Sequence, residues 1–139
     1  MDVSLVTDSL QGLGPFLVYV GLSIGMVGIY SAVYGIATAH DELALIRAGN
    51  PAAAIAFGGS MIGYALPLAS AAMHSRALAE FLVWAVIAIL IQVVVYWIVR
   101  LALLRDVSSR IEKGEVSAGL FLGAVSLTGG ILNAAAMAV

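Results

Sequence analysis

Cysteine is absent from this 139-residue chain, proline occurs only 3 times, and charged residues make up 10% of it. Without cysteine there is no disulfide, no thiolate nucleophile or thiolate metal site, and no palmitoylation. So little charge leaves too little polar surface for a water-soluble domain of this length. The formal net charge of −2 is slight, and the basic residues are mixed with acidic ones rather than gathered in a stripe, so nucleic acid is not an expected partner. What abounds is apolar sequence: 63% of residues are hydrophobic and the mean hydropathy is +1.10, which makes lipid the expected solvent.

Four stretches, 14–38, 51–73, 81–104 and 116–138, reach the roughly 20 apolar residues that a helix needs to cross a bilayer. They are continuous apolar runs without the period-two alternation of a membrane β-barrel, so an all-α membrane protein with four transmembrane helices is expected. The first stretch is not read as a cleavable signal peptide. Its leader carries Asp2 and Asp8 instead of a basic region, and its apolar run is too long. Nothing between the stretches is long enough for a second fold, and one integral-membrane domain is expected over 1–139.

Basic residues fall unevenly. Arg47 follows the first stretch; Arg105, Arg110 and Lys113 follow the third, with Arg100 at its end; the opposite side has only Arg76. The positive-inside rule then places both termini outside, in the periplasm of a bacterium.

Segments 46–73 and 111–138 read as two copies sixty-five positions apart: Ile46, Gly49, Ala53, Gly58, Ala69 and Ala71 recur as Ile111, Gly114, Ala118, Gly123, Ala134 and Ala136. Upstream, Phe16 matches Phe81, Asp41 matches Asp106, and Tyr19 aligns with Trp84. Repeat 1 covers about 14–73 and repeat 2 about 81–138. Two helices per copy keep both copies in one sense, so the expected architecture is a tandem parallel repeat of two helical hairpins. Gly49-Asn50-Pro51 predicts a glycine turn, an asparagine N-cap and a proline at the first helical position. Gly114-Glu115 is the weaker counterpart.

Small residues mark helix-packing faces. Ala52, Ala56, Gly59, Gly63 and Ser70 in the second span, and Gly119, Gly123, Ser126, Gly130 and Asn133 in the fourth, recur at three- and four-residue steps. Such faces let helices approach closely in lipid, where van der Waals packing replaces the hydrophobic driving force. Pro67 is expected to bend the second span.

Polar groups at membrane depth are where function is sought first. Gln92, Tyr96 and Arg100, at successive four-residue steps, form a candidate polar or pore face together with Asn133; Tyr19, Ser23, Tyr30 and Tyr34 form another. The plainer reading makes the tyrosines interfacial, Gln92 and Asn133 inter-helix hydrogen bonders, and Arg100 a side chain snorkelling to headgroups. Ser60, Ser70, Ser126 and Thr128 are expected to bond the preceding turn's carbonyls. His40-Asp41-Glu42 contains ligand types, but adjacent helical positions diverge, so solvated loop charges and no metal are expected. His74 is read as interfacial. No nucleophile has an evident base and no glycine loop cradles phosphate, so neither catalysis nor a cofactor is expected.

The run IRAGNPAAAIAFGGSMIGYALPLASAA, from Ile46 to Ala72, with its echo GEVSAGLFLGAVSLTGGILNAAA, resembles the YjfL-like family of small bacterial inner-membrane proteins, domain of unknown function 350. The resemblance covers nearly the whole chain. It implies a four-helix inner-membrane protein often described alongside envelope-stress genes, and no established reaction; where the family repeats Gly-Asn, this chain has Gly114-Glu115. The expected function is therefore a non-enzymatic, oligomeric membrane component that packs with copies of itself or with other envelope proteins. An oligomeric ion or small-solute channel or transporter subunit is the alternative.

Overall fold

A computed structural model describes residues 2–139, and among them every regular element is helical. In chain order these are α1 (Val3–Gln11), α2 (Leu13–Ala37), α3 (Glu42–Arg47), α4 (Pro51–His74), α5 (Leu78–Ile98), α6 (Val107–Glu112) and α7 (Val116–Met137), with a π-helical turn, Val99–Leu103, prolonging α5. Four spans, Val3–Ala37, Pro51–His74, Leu78–Leu103 and Val116–Met137, are long and apolar enough to cross a membrane. The first begins earlier than the apolar run suggests. Gly12 keeps a right-handed helical conformation (φ −77°, ψ −9°), so the polar leader continues the helix although none of α1 is buried.

The centre of the bundle is the contact between α4 and α7. It proceeds in the same direction along both helices: Ala52 meets Gly119, Gly59 meets Gly123, Gly63 meets Ser126 and Gly130, and the Ser70 hydroxyl donates to the Ala134 carbonyl at 2.9 Å. The two helices therefore run parallel. Their approach is at backbone distance, since a Cβ added to Gly59 would lie 2.6 Å from the Gly123 Cα. Leucine-sized side chains at these positions would hold the axes apart and forfeit the dispersion contacts between them. Helix α5 packs on both α4 and α7, and its Phe81, Ala85, Ala88 and Ile89 are buried.

Helix α2 is joined to the rest mainly by aromatic rings. Only Met26, Tyr30 and Tyr34 of its residues are buried. Tyr30 stacks on Tyr64 at 4.5 Å between ring centroids, Tyr34 meets Phe57 at 5.7 Å and Tyr96 at 6.0 Å, and Tyr19 meets Phe81 at 5.3 Å. Tyr30 and Tyr34 thus pack inward against α4 and α5. The remaining surface of α2 is apolar and bare, with Ile24 69% and Ile36 85% exposed, which suits acyl chains and not water.

Short helices α3 and α6 both lie at one end of the bundle, each packed on α4. The Asn50 amide donates to the Ile111 carbonyl at 2.7 Å, bridging the two loops. Asn50 also caps α4, accepting from the Ala53 N–H at 3.0 Å, and Pro51 takes the first position. Gly49 and Gly114 hold φ of +86° and +78°, a left-handed turn that L side chains seldom adopt, so each loop can close α3 or α6 and restart into the next span. Glu115 makes no side-chain cap; it pairs with Arg110, and its acceptor raises the guanidinium pKa above the ordinary value.

Candidate functional site

Where α2 ends, the chain turns inward instead of out into solvent. Thr38 is extended (φ −81°, ψ 150°), and the next residues fold back under the α5–α6 junction. Asp41 stays exposed and caps α3, accepting from the Ala44 N–H at 3.1 Å. His40 and Glu42, however, are only 4% and 3% exposed. Their expected role as solvated loop charges is therefore corrected for two of the three residues. The physical reason is the alternation around an N-cap: with Asp41 turned out to serve the helix terminus, its neighbours on either side turn in.

The buried groups form a connected line. The Thr38 hydroxyl donates to Glu42 Oε1, and His40 Nε2 lies 3.0 Å from that same oxygen, close enough for charge pairing but off the axis of a straight hydrogen bond. On the other side of the ring, His40 Nδ1 is 3.1 Å from Ser108 Oγ, which is 3.3 Å from the Tyr96 hydroxyl. The Tyr34 hydroxyl is buried beside them without a partner. Elements distant in sequence supply these groups: the α2–α3 turn with the start of α3, α5 and α6. Acid, imidazole, hydroxyl and phenol in series can hold or pass a proton, with His40 able to accept on either nitrogen.

A cleft of about 670 Å³ opens beside this line, with Thr38, His40, Asp41 and Glu42 at its polar end and Gly28, Ala32 and Phe57 along its apolar part. Ser108 does not line it. Serine, histidine and glutamate stand here in the order of an acyl-transfer triad, yet the hydroxyl lies away from the open space where an acyl substrate would sit. A second cleft, about 520 Å³, lies at the opposite end beside His74, Arg76 and Glu80. His74 is exposed there and its Nδ1 is 2.8 Å from the Ser70 carbonyl of its own helix.

The four residues expected to share a polar face are dispersed. Gln92 is 2% exposed and donates to the Ser126 carbonyl of α7 at 3.2 Å, its own Oε1 unpartnered. Tyr96 is 1% exposed and belongs to the buried line. Arg100 falls in the π turn, and its guanidinium carbon lies 5.3 Å from the Trp97 ring centroid. Asn133, near the far end of α7, has a buried Nδ2 with no partner. Gln92 and Tyr96 are thus closed in and border no open path within the protomer. Of the packing residues, Ala52, Gly59, Gly63, Gly119, Gly123 and Gly130 meet across the α4–α7 contact and Ala56 is buried on α4. Ser60 and Thr128 bond their own preceding turns, as their spacing predicts, whereas Ser70 reaches across to α7.

Sequence reasoning missed Thr38, His40, Glu42 and Ser108. One signal was present: sixty-five positions beyond Glu42 stands Val107, an apolar residue that is fully buried, so position 42 could have been read as inward.

The chain is similar to the UPF0719 inner membrane protein YjfL of Escherichia coli strain K12, with 38% identity over 128 residues, covering 92% of this chain and 96% of that one. The protein of the same designation from Escherichia coli O157:H7 matches with the same identity and coverage. No solved structure matches. The family model described as Domain of Unknown Function (DUF350) matches residues 8–137, and with a four-span helical fold and a relative aligned almost end to end, the chain belongs to the DUF350 family.

Proposed function

We propose that this protein is a multi-pass component of the bacterial inner membrane, without chemistry of its own, that works as an assembly of copies. The relative's designation as an inner membrane protein supports the location. The observation that carries the assembly is a glycine stripe on α2. Gly14, Gly21 and Gly28 recur every seven residues with Gly25 between, and a Cβ added to any of them would meet nothing within 4 Å. The same chemistry, where it has a partner, packs α4 on α7 at backbone distance. On α2 it is left open within the protomer. The non-enzymatic part of the reading rests on Ser108 lying off the cleft.

Because the chain has no cysteine, single substitutions give clean cross-links. Gly21→Cys in isolated membranes should form a disulfide dimer at several times the yield of Ile62→Cys, which sits on the exposed face of α4. Equal yields would remove the assembly reading; a cross-link to a different envelope protein would replace self-association with a heteromeric partner.

We also read the molecule as a tandem parallel repeat of two helical hairpins. Three pairs of helix starts support it, Leu13 with Leu78, Glu42 with Val107 and Pro51 with Val116, each sixty-five positions apart, as do the left-handed glycines Gly49 and Gly114. Arg47, Arg105, Arg110 and Lys113 share the end occupied by α3 and α6, so both termini belong in the periplasm. Alkaline phosphatase fused after Val139 should be active, and a cytoplasm-only reporter fused there should be silent; the reverse pattern would invert the topology.

A further inference from the structure

We propose that the cleft beside α2 binds a primary ammonium group carried on an apolar body, with the Glu42 carboxylate as its counter-ion. The cleft is lined by two carboxylates, Asp41 and Glu42, and by no lysine or arginine. Glu42 is nine-tenths and more buried. Its Oε1 is taken by Thr38 and His40, while Oε2 accepts no hydrogen bond and lies toward Gly35 on the cleft wall, 4.0 Å from where a Cβ on that glycine would sit. Within the described residues its one ion-pair partner is His40, which is charged only when protonated. A buried carboxylate calls for a cation, because removal from water is costly unless an opposite charge replaces the lost solvation.

The shape narrows the ligand. Gly28 to Thr38 along the cleft wall is ten residues, about 15 Å of helix, and the acidic groups are gathered at the loop end while Gly28, Ala32 and Phe57 border the part farther along the bundle. This gradient suits an amphiphile standing along the bundle axis with its cationic head at the membrane surface. Hard divalent cations are a poorer match, since calcium takes six to eight oxygen ligands. Among the described residues no group of three or more His, Cys, Asp or Glu is placed to hold a metal. A quaternary ammonium, which donates no hydrogen bond, is best held by a cage of several aromatic rings, and this cleft is bordered by one, Phe57. A primary ammonium has three N–H donors for carboxylate oxygens. The head group could belong to an aminophospholipid or to a free amphiphilic amine.

The test uses the full chain in mild detergent; Gly28 belongs to both the α2 glycine stripe and the cleft wall, so binding is scored separately on the monomer and on any oligomer resolved in the same spectra. Binding of phosphatidylethanolamine and of phosphatidylcholine with identical acyl chains would be measured by native mass spectrometry, and thermal protection by hexylamine would be compared with that by hexanol. Wild type should retain phosphatidylethanolamine at least tenfold better than phosphatidylcholine, and Glu42→Gln should erase the difference. Gly35→Leu, which keeps the carboxylate but fills the space before it, should do the same and serves if Glu42→Gln does not fold. Preference for hexylamine without preference for the ethanolamine lipid would assign the site to a free amine. Equal retention of the two lipids with equal effects of hexylamine and hexanol would overturn the proposal, as would a head-group preference that survives in a folded variant.

Discussion

Gly130→Ala is expected to disrupt the bundle more than any other single methyl group added to it. The new Cβ would overlap the Gly63 carbonyl oxygen and crowd its Cα, and both belong to the backbone of a packed helix that has no rotamer by which to yield. The α4–α7 axes must separate, and with them go the contacts of Gly59 on Gly123 and Gly119 on Ala52. Overpacking of a well-filled interior costs about 1–3 kcal/mol and more where backbone must move, so a loss of about 3 kcal/mol is expected. Gly63→Ala should act in the same way with a smaller loss, because its Cβ would press on both the Ser126 backbone and the Gln92 amide nitrogen, 2.7 Å away. Gly58→Ala, whose Cβ meets nothing within 4 Å, is the control. Unfolding by SDS titration from mild micelles reads the difference. Equal midpoints for Gly130→Ala and Gly58→Ala would mean that α4 and α7 do not approach at this distance.

Asn50→Ala should cost about 2 kcal/mol, because one side chain performs two tasks. Its oxygen caps α4 through the Ala53 N–H, a contribution of about 1 kcal/mol. Its amide nitrogen ties that cap to the Ile111 carbonyl at the end of α6, a hydrogen bond with a net value of about 1 kcal/mol. Asn50→Asp separates the tasks. The carboxylate still accepts from the helix terminus, and its charge is favourable there, but it can no longer donate to α6. About half the loss should therefore return in the same SDS titration. If aspartate were as damaging as alanine, the cap would contribute nothing, and if alanine were harmless, the two loops would not depend on this bridge.

How legible each feature was follows from the range of the interaction behind it. The spans were readable because lipid demands a continuous apolar run and an internally bonded backbone, requirements that act on each segment separately. The left-handed turn at Gly49, the cap at Asn50 and the proline at position 51 were readable for the same reason: every partner lies within four residues. Gln92, Tyr96, Arg100 and Asn133 mark where such reasoning stopped. Four-residue spacing placed three of them on one face, but Arg100 lies against Trp97, and Gln92 and Tyr96 met protein instead of water. His40 and Glu42 looked like ordinary loop charges because nothing near them in sequence reveals that Ser108, sixty-eight residues past His40, closes over the imidazole.

By itself, then, the sequence determined the solvent, the number of crossings, the punctuation between them and the small faces on which helices approach, since all of these are written in composition and local periodicity. Only the tertiary structure decided that the small faces of α4 and α7 meet each other, that a glycine stripe on α2 remains open, and that His40 and Glu42 are enclosed by the next loop. Those outcomes depend on which surfaces meet across more than sixty residues of chain, and burial, unlike helix propensity, is a property of the partner as much as of the residue.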